Sequence, residues 1–292
     1  MSAEALSLNG GRHAALCWGR RDAPIWLALH GWLDNAASFT RVAPLLVREL
    51  DIRLVAVDLP GHGHSAARGE GADYPMLGYL PDVVDVLDAL ALESVTLLGH
   101  SLGASIATQL AAALPERVER LVLIDGLIGT TVEVEEGMDQ LRLALQSRRR
   151  VRAESRGFDS VEAAVAARVS GGVTRLDEAS ARPIVERNLA RDANGRFQWR
   201  TDRRLTWPSL SRLTPAQALH TVERVVAPAL LVQATQGVLA GQALAATARQ
   251  RMPQLTRRVL AGGHHLHLER LQVAAVAAEI VAWTRRQMAA AG

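Results

Sequence analysis

Apolar and polar positions along this chain follow two alternating rhythms. Runs of four or five mostly apolar residues, rich in Val, Leu and Ile, recur at Ile25–Leu29, Arg53–Val57, Val95–Leu98, Leu121–Ile124 and Ala229–Val232, and Thr256–Leu260 reads as a sixth, more polar strand. Longer stretches with helical spacing, such as Ala104–Leu114, separate them. Strands alternating with helices predict an α/β fold whose central sheet is mostly parallel and flanked by helices. Ala5–Leu8 and His13–Trp18, joined by Asn9-Gly10-Gly11, read as an N-terminal hairpin. The polar residues of chemical interest fall at the carboxyl ends of the predicted strands: His30, Asp58, Ser101, Asp125 and His264. Open α/β sheets bind their ligands at those ends.

The rhythm breaks once. About a hundred residues separate Ile124 from Ala229, where one crossover helix would suffice. Within them Glu136–Val151, Ser160–Val169 and Asp177–Leu189 read as helical and Arg196–Trp199 as extended. The expected organisation is a core formed by residues 1–128 and 211–292. A helical cap, residues 129–210, is inserted after the strand ending at Ile124.

Composition narrows the class. The chain has 292 residues, 49% hydrophobic and 22% charged, an ordinary globular balance. No run reaches the ~18 apolar residues of a membrane span, and Met1–Gly10 lacks the basic and apolar regions of a secretory signal. A cytoplasmic location is the default expectation. The single Cys17 excludes an internal disulfide and any cysteine-based metal cluster. The net charge is +3, and every basic residue other than histidine is arginine. Arg148-Arg149-Arg150, with Arg142, Arg152 and Arg156 nearby, has only Phe158 as an aromatic neighbour, so it reads as a solvated helix face and not as a nucleic-acid surface. No phosphate-binding loop or metal-ligand spacing occurs, and no cofactor is expected. A homodimer is compatible with this composition.

Gly99-His100-Ser101-Leu102-Gly103 joins a predicted strand to a predicted helix. A sharp turn there strains the central residue, and side chains two positions either side would collide, hence glycine at both. Such a turn lifts a serine hydroxyl above the sheet with a helix amino terminus behind it. Ser101 is therefore the candidate nucleophile. His30-Gly31-Trp32 ends a neighbouring strand, so the backbone N–H groups of Trp32 and Leu102 can together hold an oxyanion.

These motifs, with Asp58-Leu59-Pro60-Gly61-His62-Gly63-His64-Ser65 and Gly263-His264 followed by Glu269, resemble the α/β-hydrolase superfamily over essentially the whole chain. His30–Asn35, Ile124–Leu127 and Trp199–Asp202 further resemble the serine hydrolase-like proteins, whose substrates are poorly defined. The resemblance implies that His264, preceded by glycine and followed five residues later by an acid, is the base, with His265 as the alternative. It implies structural roles for Asp58, His62 and His64; His30 reads as structural too. A metal cluster at His264-His265-Leu266-His267 lacks carboxylate or cysteine partners nearby in sequence. The superfamily's usual acid position aligns with Gly237, and no Asp or Glu occurs from Arg224 to Leu268. Asp125 is the candidate replacement, ahead of Glu133, Glu135 and Asp139. A serine nucleophile with an oxyanion hole suits acyl transfer to water, so a carboxylic ester or related compound with a small apolar acyl group is the expected substrate. Phe158, Trp199 and Trp207 are its candidate cap contacts. The competing classes are a small-molecule receptor of this fold and a cofactor-free lyase.

Overall fold

The computed structural model describes residues 2–149, 157–171 and 174–291. Strands β1 (Glu4–Leu8) and β2 (His13–Trp18) form the antiparallel hairpin expected around Asn9–Gly11. Strand β3 (Ile25–Leu29), helix α1 (Val42–Leu50), strand β4 (Arg53–Val57), helix α2 (Tyr79–Ala89), strand β5 (Val95–His100), helix α3 (Leu102–Ala113) and strand β6 (Val118–Ile124) follow. The segment after β6 carries α4 (Gly137–Arg149), α5 (Val161–Gly171), α6 (Glu178–Arg187), β7 (Leu189–Arg191) and β8 (Phe197–Trp199). The chain then returns through α7 (Pro215–Arg224), β9 (Ala229–Gln236), α8 (Ala243–Gln250), β10 (Leu255–Gly263) and α9 (Val273–Ala291).

Among the described residues the main sheet has eight strands in the order β1-β2-β4-β3-β5-β6-β9-β10, parallel from β4 to β10. Because successive strand residues face opposite sides, each strand feeds two cores. Leu27, Val55, Leu97 and Leu121 pack beneath α2, α3, α7 and α8. Ala28, Leu54, Leu98 and Val122 pack against α1 and α9. Leu97 and Leu98 are wholly buried, each contributing roughly 1.5–3 kcal/mol of burial. Strand β5, which leads into Ser101, is thus held from both faces.

The inserted segment leaves and rejoins the core where Val132 N–H donates to the Leu213 carbonyl at 3.0 Å. Its helices form a small core of their own around Val165, Leu176, Ile184 and Val185. Of Arg196–Trp199, expected to be extended, Phe197–Trp199 pairs with β7 as an antiparallel ribbon. The end of the helix expected over Glu136–Val151 lies outside the described residues.

Polar contacts fix this segment over the sheet, among them those of Asp58 and Asn35. The buried Asp58 carboxylate accepts backbone N–H bonds from Ala36 and His64, both 2.8 Å, and two-pronged contacts from Arg187 at 2.7–3.1 Å. Asn35 Nδ2 donates to the Ile184 carbonyl at 2.8 Å. Arg148 corrects the expectation of a solvated basic face. It pairs with Asp73 at 2.5 Å and covers the Trp207 ring, while Arg142 and Arg149 are exposed. Arg150, Arg152 and Arg156 lie outside the described residues. No described helix is long and apolar enough to cross a membrane.

Removing one partner of a buried ion pair leaves an uncompensated charge. Arg187→Ala should therefore lower unfolding free energy by about 3–5 kcal/mol in urea denaturation. A loss below about 1 kcal/mol, the ordinary range for exposed pairs, would contradict the anchoring role.

Candidate active site

Strand β5 passes into α3 through Ser101, whose backbone sits at φ 52° and ψ −113°. A non-glycine residue there costs on the order of 1–3 kcal/mol and persists only when its surroundings enforce it. They do so here: Ser101 N–H donates to the Ile124 carbonyl at 3.0 Å, and Ser105 N–H donates to the Ser101 carbonyl at 3.1 Å. A Cβ at Gly99 would lie 2.5 Å from the Ala104 Cα, and one at Gly103 would lie 2.0 Å from the Leu29 carbonyl oxygen. Both glycines are therefore required by close approach of backbone to backbone. Leu102 opens α3, so its N–H has no acceptor within the helix and lies at the positive end of the helix dipole.

Asp125 follows the last residue of β6 and is fully buried. Its φ of 39° lies in the left-handed region that aspartate tolerates better than most residues. The carboxylate accepts N–H bonds from Ala234 at 3.1 Å and Val238 at 2.8 Å, and its Oδ2 stands 2.6 Å from His264 Nδ1. That contact puts the ring proton on Nδ1 and leaves Nε2 as the basic nitrogen of a neutral imidazole. Gly237 explains why no acid follows β9. A Cβ there would fall 2.0 Å from Asp125 Oδ2 and 2.3 Å from its Cγ. The Asp125 carboxylate fills the space a side chain at 237 would need. Glu133, Glu135 and Asp139, by contrast, are exposed.

Two cavities meet at Ser101, which lines both together with Trp32 and Val238. The larger, about 960 Å³, is walled by Leu102 and by aliphatic residues including Met76, Ile128, Leu213 and Leu239, with Trp207. The smaller, about 750 Å³, includes His264, His265, Arg168, Asn188 and Trp199. Trp32 also donates its indole N–H to the Leu205 carbonyl at 2.9 Å, so this loop touches the inserted segment. Phe158, expected to line the pocket, borders neither cavity. Its backbone pairs with Phe197 and its ring meets Trp199 edge-on at 5.0 Å, so it supports the pocket wall from behind.

His30 and His62 serve geometry. His30 Nε2 accepts from Leu59 N–H at 2.9 Å and its Nδ1 lies 2.7 Å from the Gly31 carbonyl. His62 accepts from Leu33 N–H at 3.2 Å, and burial followed by the neighbouring His30 pushes it down to about 3. Glu269 accepts the Gly263 N–H at 3.1 Å, which fixes the turn carrying His264. His265 turns away from the Asp125 side: its Nε2 lies 2.9 Å from Asp34 Oδ2. Asp34 supplies the carboxylate that the histidine run lacks in sequence. Asp34, His100 and His265 are all buried, with ligand-capable atoms within 4.8 Å of one another. Asp34 and Arg187 are the residues sequence reasoning missed. The only signal for Asp34 was its place in the His30–Asn35 motif.

Comparison with known proteins places this geometry in context. A family described as the alpha/beta hydrolase fold matches residues 25–271. A serine hydrolase-like protein of Danio rerio is 30% identical over 276 residues, 86% of this chain and 81% of that one. The crystal structure of a hypothetical protein from Pseudomonas aeruginosa PAO1 is 42% identical with a TM-score of 0.89, covering 98% of this chain and 100% of the other. A thioesterase domain from the curacin biosynthetic pathway is 25% identical with a TM-score of 0.77, covering 96% and 99%.

If Asp125 holds the Nδ1 proton of His264, that proton should resonate far downfield in the proton NMR spectrum. Gly237→Ala must push the carboxylate aside and should shift or abolish the signal. An unchanged resonance in Gly237→Ala would contradict the packing described.

Proposed function

The chain belongs to the α/β-hydrolase family, and on that premise we propose that it is a serine hydrolase cleaving carboxylic esters or thioesters. The observation that carries this reading is the 2.6 Å contact between Asp125 and His264, on a histidine that shares a cavity with Ser101. The proposed sequence begins with Ser101 Oγ attacking the acyl carbonyl while His264 Nε2 takes its proton. The N–H groups of Trp32 and Leu102 receive the charge that develops on the carbonyl oxygen, the step that contributes most to such reactions. His264 then returns the proton to the leaving alcohol or thiol, leaving an acyl group on Ser101. Water, activated by the same nitrogen, completes hydrolysis. Asp125 fixes the imidazole orientation and balances its transient positive charge without itself taking the proton.

The two cavities give the substrate two arms. The acyl chain occupies the larger one, where aliphatic side chains concentrate, and the leaving group occupies the smaller one. The inserted segment acts as the cap, supplying Trp207 to the first arm and Trp199 to the second. Similarity to a thioesterase domain supports including thioesters among the candidates.

A fluorophosphonate should label wild-type protein once, at Ser101, as read by intact mass and peptide mapping. Ser101→Ala should lose the label and reduce kcat/KM on p-nitrophenyl esters by on the order of 10⁴ or more. Full turnover without Ser101 would end the proposal. Trp207→Ala should change the octanoyl-to-acetyl preference by on the order of 10-fold, and Trp199→Ala should leave that ratio unchanged while altering leaving-group preference. The reverse pattern would exchange the two arms.

A further inference from the structure

We propose that Asp34, His100 and His265 form a reversible binding site for a divalent transition-metal ion such as Zn²⁺, beside the catalytic serine. The argument starts from His100. Its Nε2 lies 3.0 Å from the His264 carbonyl oxygen, an acceptor, so Nε2 must carry the proton. Nδ1 then bears a lone pair. It is buried and has no hydrogen-bond partner, and the nearest charged atom is Asp34 Oδ2 at 3.7 Å. Two electron-pair donors thus face each other in the interior at a separation too long for a hydrogen bond. A buried acceptor without a partner is costly, and a cation is the species that satisfies both.

His265 completes the set. Its Nε2 lies 2.9 Å from the same carboxylate oxygen. Without an ion Nε2 donates to that oxygen. The ion takes the place of this proton: the neutral ring carries its proton on Nδ1, facing Thr174 Oγ1 at 3.5 Å, and Nε2 becomes the third donor. Tetrahedral zinc with bonds of about 2.0–2.1 Å spaces its ligands about 3.3 Å apart. Reaching that spacing around the carboxylate from 2.9 and 3.7 Å takes shifts of a few tenths of an ångström, and the two imidazole nitrogens, within 4.8 Å of each other, close on the ion by side-chain rotation. Gly31 leaves the necessary room: a Cβ there would lie 2.9 Å from His100 Nδ1 and 3.2 Å from Asp34 Oδ2. Access is provided by the smaller cavity, whose lining includes Gly31, Asp34, His100 and His265 and which can supply water as a further ligand. Two imidazoles and one carboxylate select Zn²⁺, Co²⁺ or Ni²⁺ over Mg²⁺ or Ca²⁺. The His264 carbonyl orients His100 as outer partners of metal-bound histidines do. Arg168, 3.8 Å from Asp34 Oδ1, partly neutralises the carboxylate and weakens the site, which makes binding reversible.

The ligands touch each part of the proposed machinery. His100 precedes Ser101 in the chain and bonds the His264 backbone, and Asp34 lies two residues beyond Trp32. An ion that draws them together should therefore slow hydrolysis. This consequence rests on the proposed function, whereas binding does not.

Binding is best measured on chelator-treated Ser101→Ala protein, which separates it from any turnover. Titration calorimetry with ZnCl₂ should give one ion per chain, and Co²⁺ should produce the visible absorption of a low-coordinate site. His265→Gln and Asp34→Asn should each weaken zinc binding by at least on the order of 10-fold, while His264→Ala and His220→Gln retain it. Arg168→Met keeps every ligand and removes the opposing charge, so it should tighten binding even if the ligand variants fold poorly. In wild-type protein, ester turnover should fall with the same half-saturation. Absence of saturable binding, or weaker binding in Arg168→Met, would overturn the site. Loss of binding in His264→Ala with retention in His265→Gln would move the ion to the proposed base and overturn it equally. Binding that leaves turnover unchanged would overturn its coupling to the catalytic loops.

Discussion

The site is organised around a volume that one carboxylate occupies. Asp125 sits where a side chain from residue 237 would otherwise stand, within hydrogen-bond reach of His264 Nδ1 and two backbone N–H groups. Those two N–H donors come from Ala234 and Val238, in β9 and just beyond it, next to β6 in the sheet. The carboxylate therefore depends on the register of β6 against β9, which pairs Ile124 with Val232. Glycine at 237 follows as a steric requirement. A buried carboxylate held this way has its hydrogen-bonding capacity met by backbone N–H groups and one imidazole. His264 is oriented in turn, because a short contact to a fixed acceptor leaves the ring little freedom.

The same logic of enforced backbone applies at Ser101. Its strained conformation persists because β5 lies between β3 and β6 and because α3 begins against the Leu29 carbonyl. The cost is met by a sheet whose central residues, Leu97 and Leu98 among them, are wholly buried on both faces. The inserted segment touches the core through polar contacts, Arg187 on Asp58 and Asn35 on the Ile184 carbonyl among them, and through Leu268, which joins its apolar cluster. Under the proposed function, substrate selection falls to this segment and the chemistry to the strand ends of the core.

The sequence made visible what local chemistry enforces. Ser101 was legible because a strand-to-helix turn with glycines two positions either side admits few alternatives, and the strands were legible from their apolar runs. Asp125 was a candidate through the resemblance, which places an acid either after β9, where the stretch from Arg224 to Leu268 carries none, or at the end of β6. Partners set by the fold alone were hidden. Asp34 meets His265 across 231 positions, and Arg187 meets Asp58 across 129. Composition identified Phe158 as an apolar-pocket residue but could not say which side of the wall its ring takes. Arg148 read as a solvated charge because nothing local announces Asp73 and Trp207 as its partners.

The central claim is that Asp125 performs the task of an acid at residue 237, and moving the carboxylate tests it most directly. The measurement is kcat/KM on a p-nitrophenyl ester for Asp125→Gly and for the double variant Asp125→Gly/Gly237→Asp. Loss of a triad acid typically costs on the order of 10⁴ in turnover. The account predicts a fall of that order in the single variant and a recovery of at least on the order of 10-fold in the double variant, whose new carboxylate enters the vacated volume. Activity in Asp125→Gly within a few-fold of wild type would contradict it.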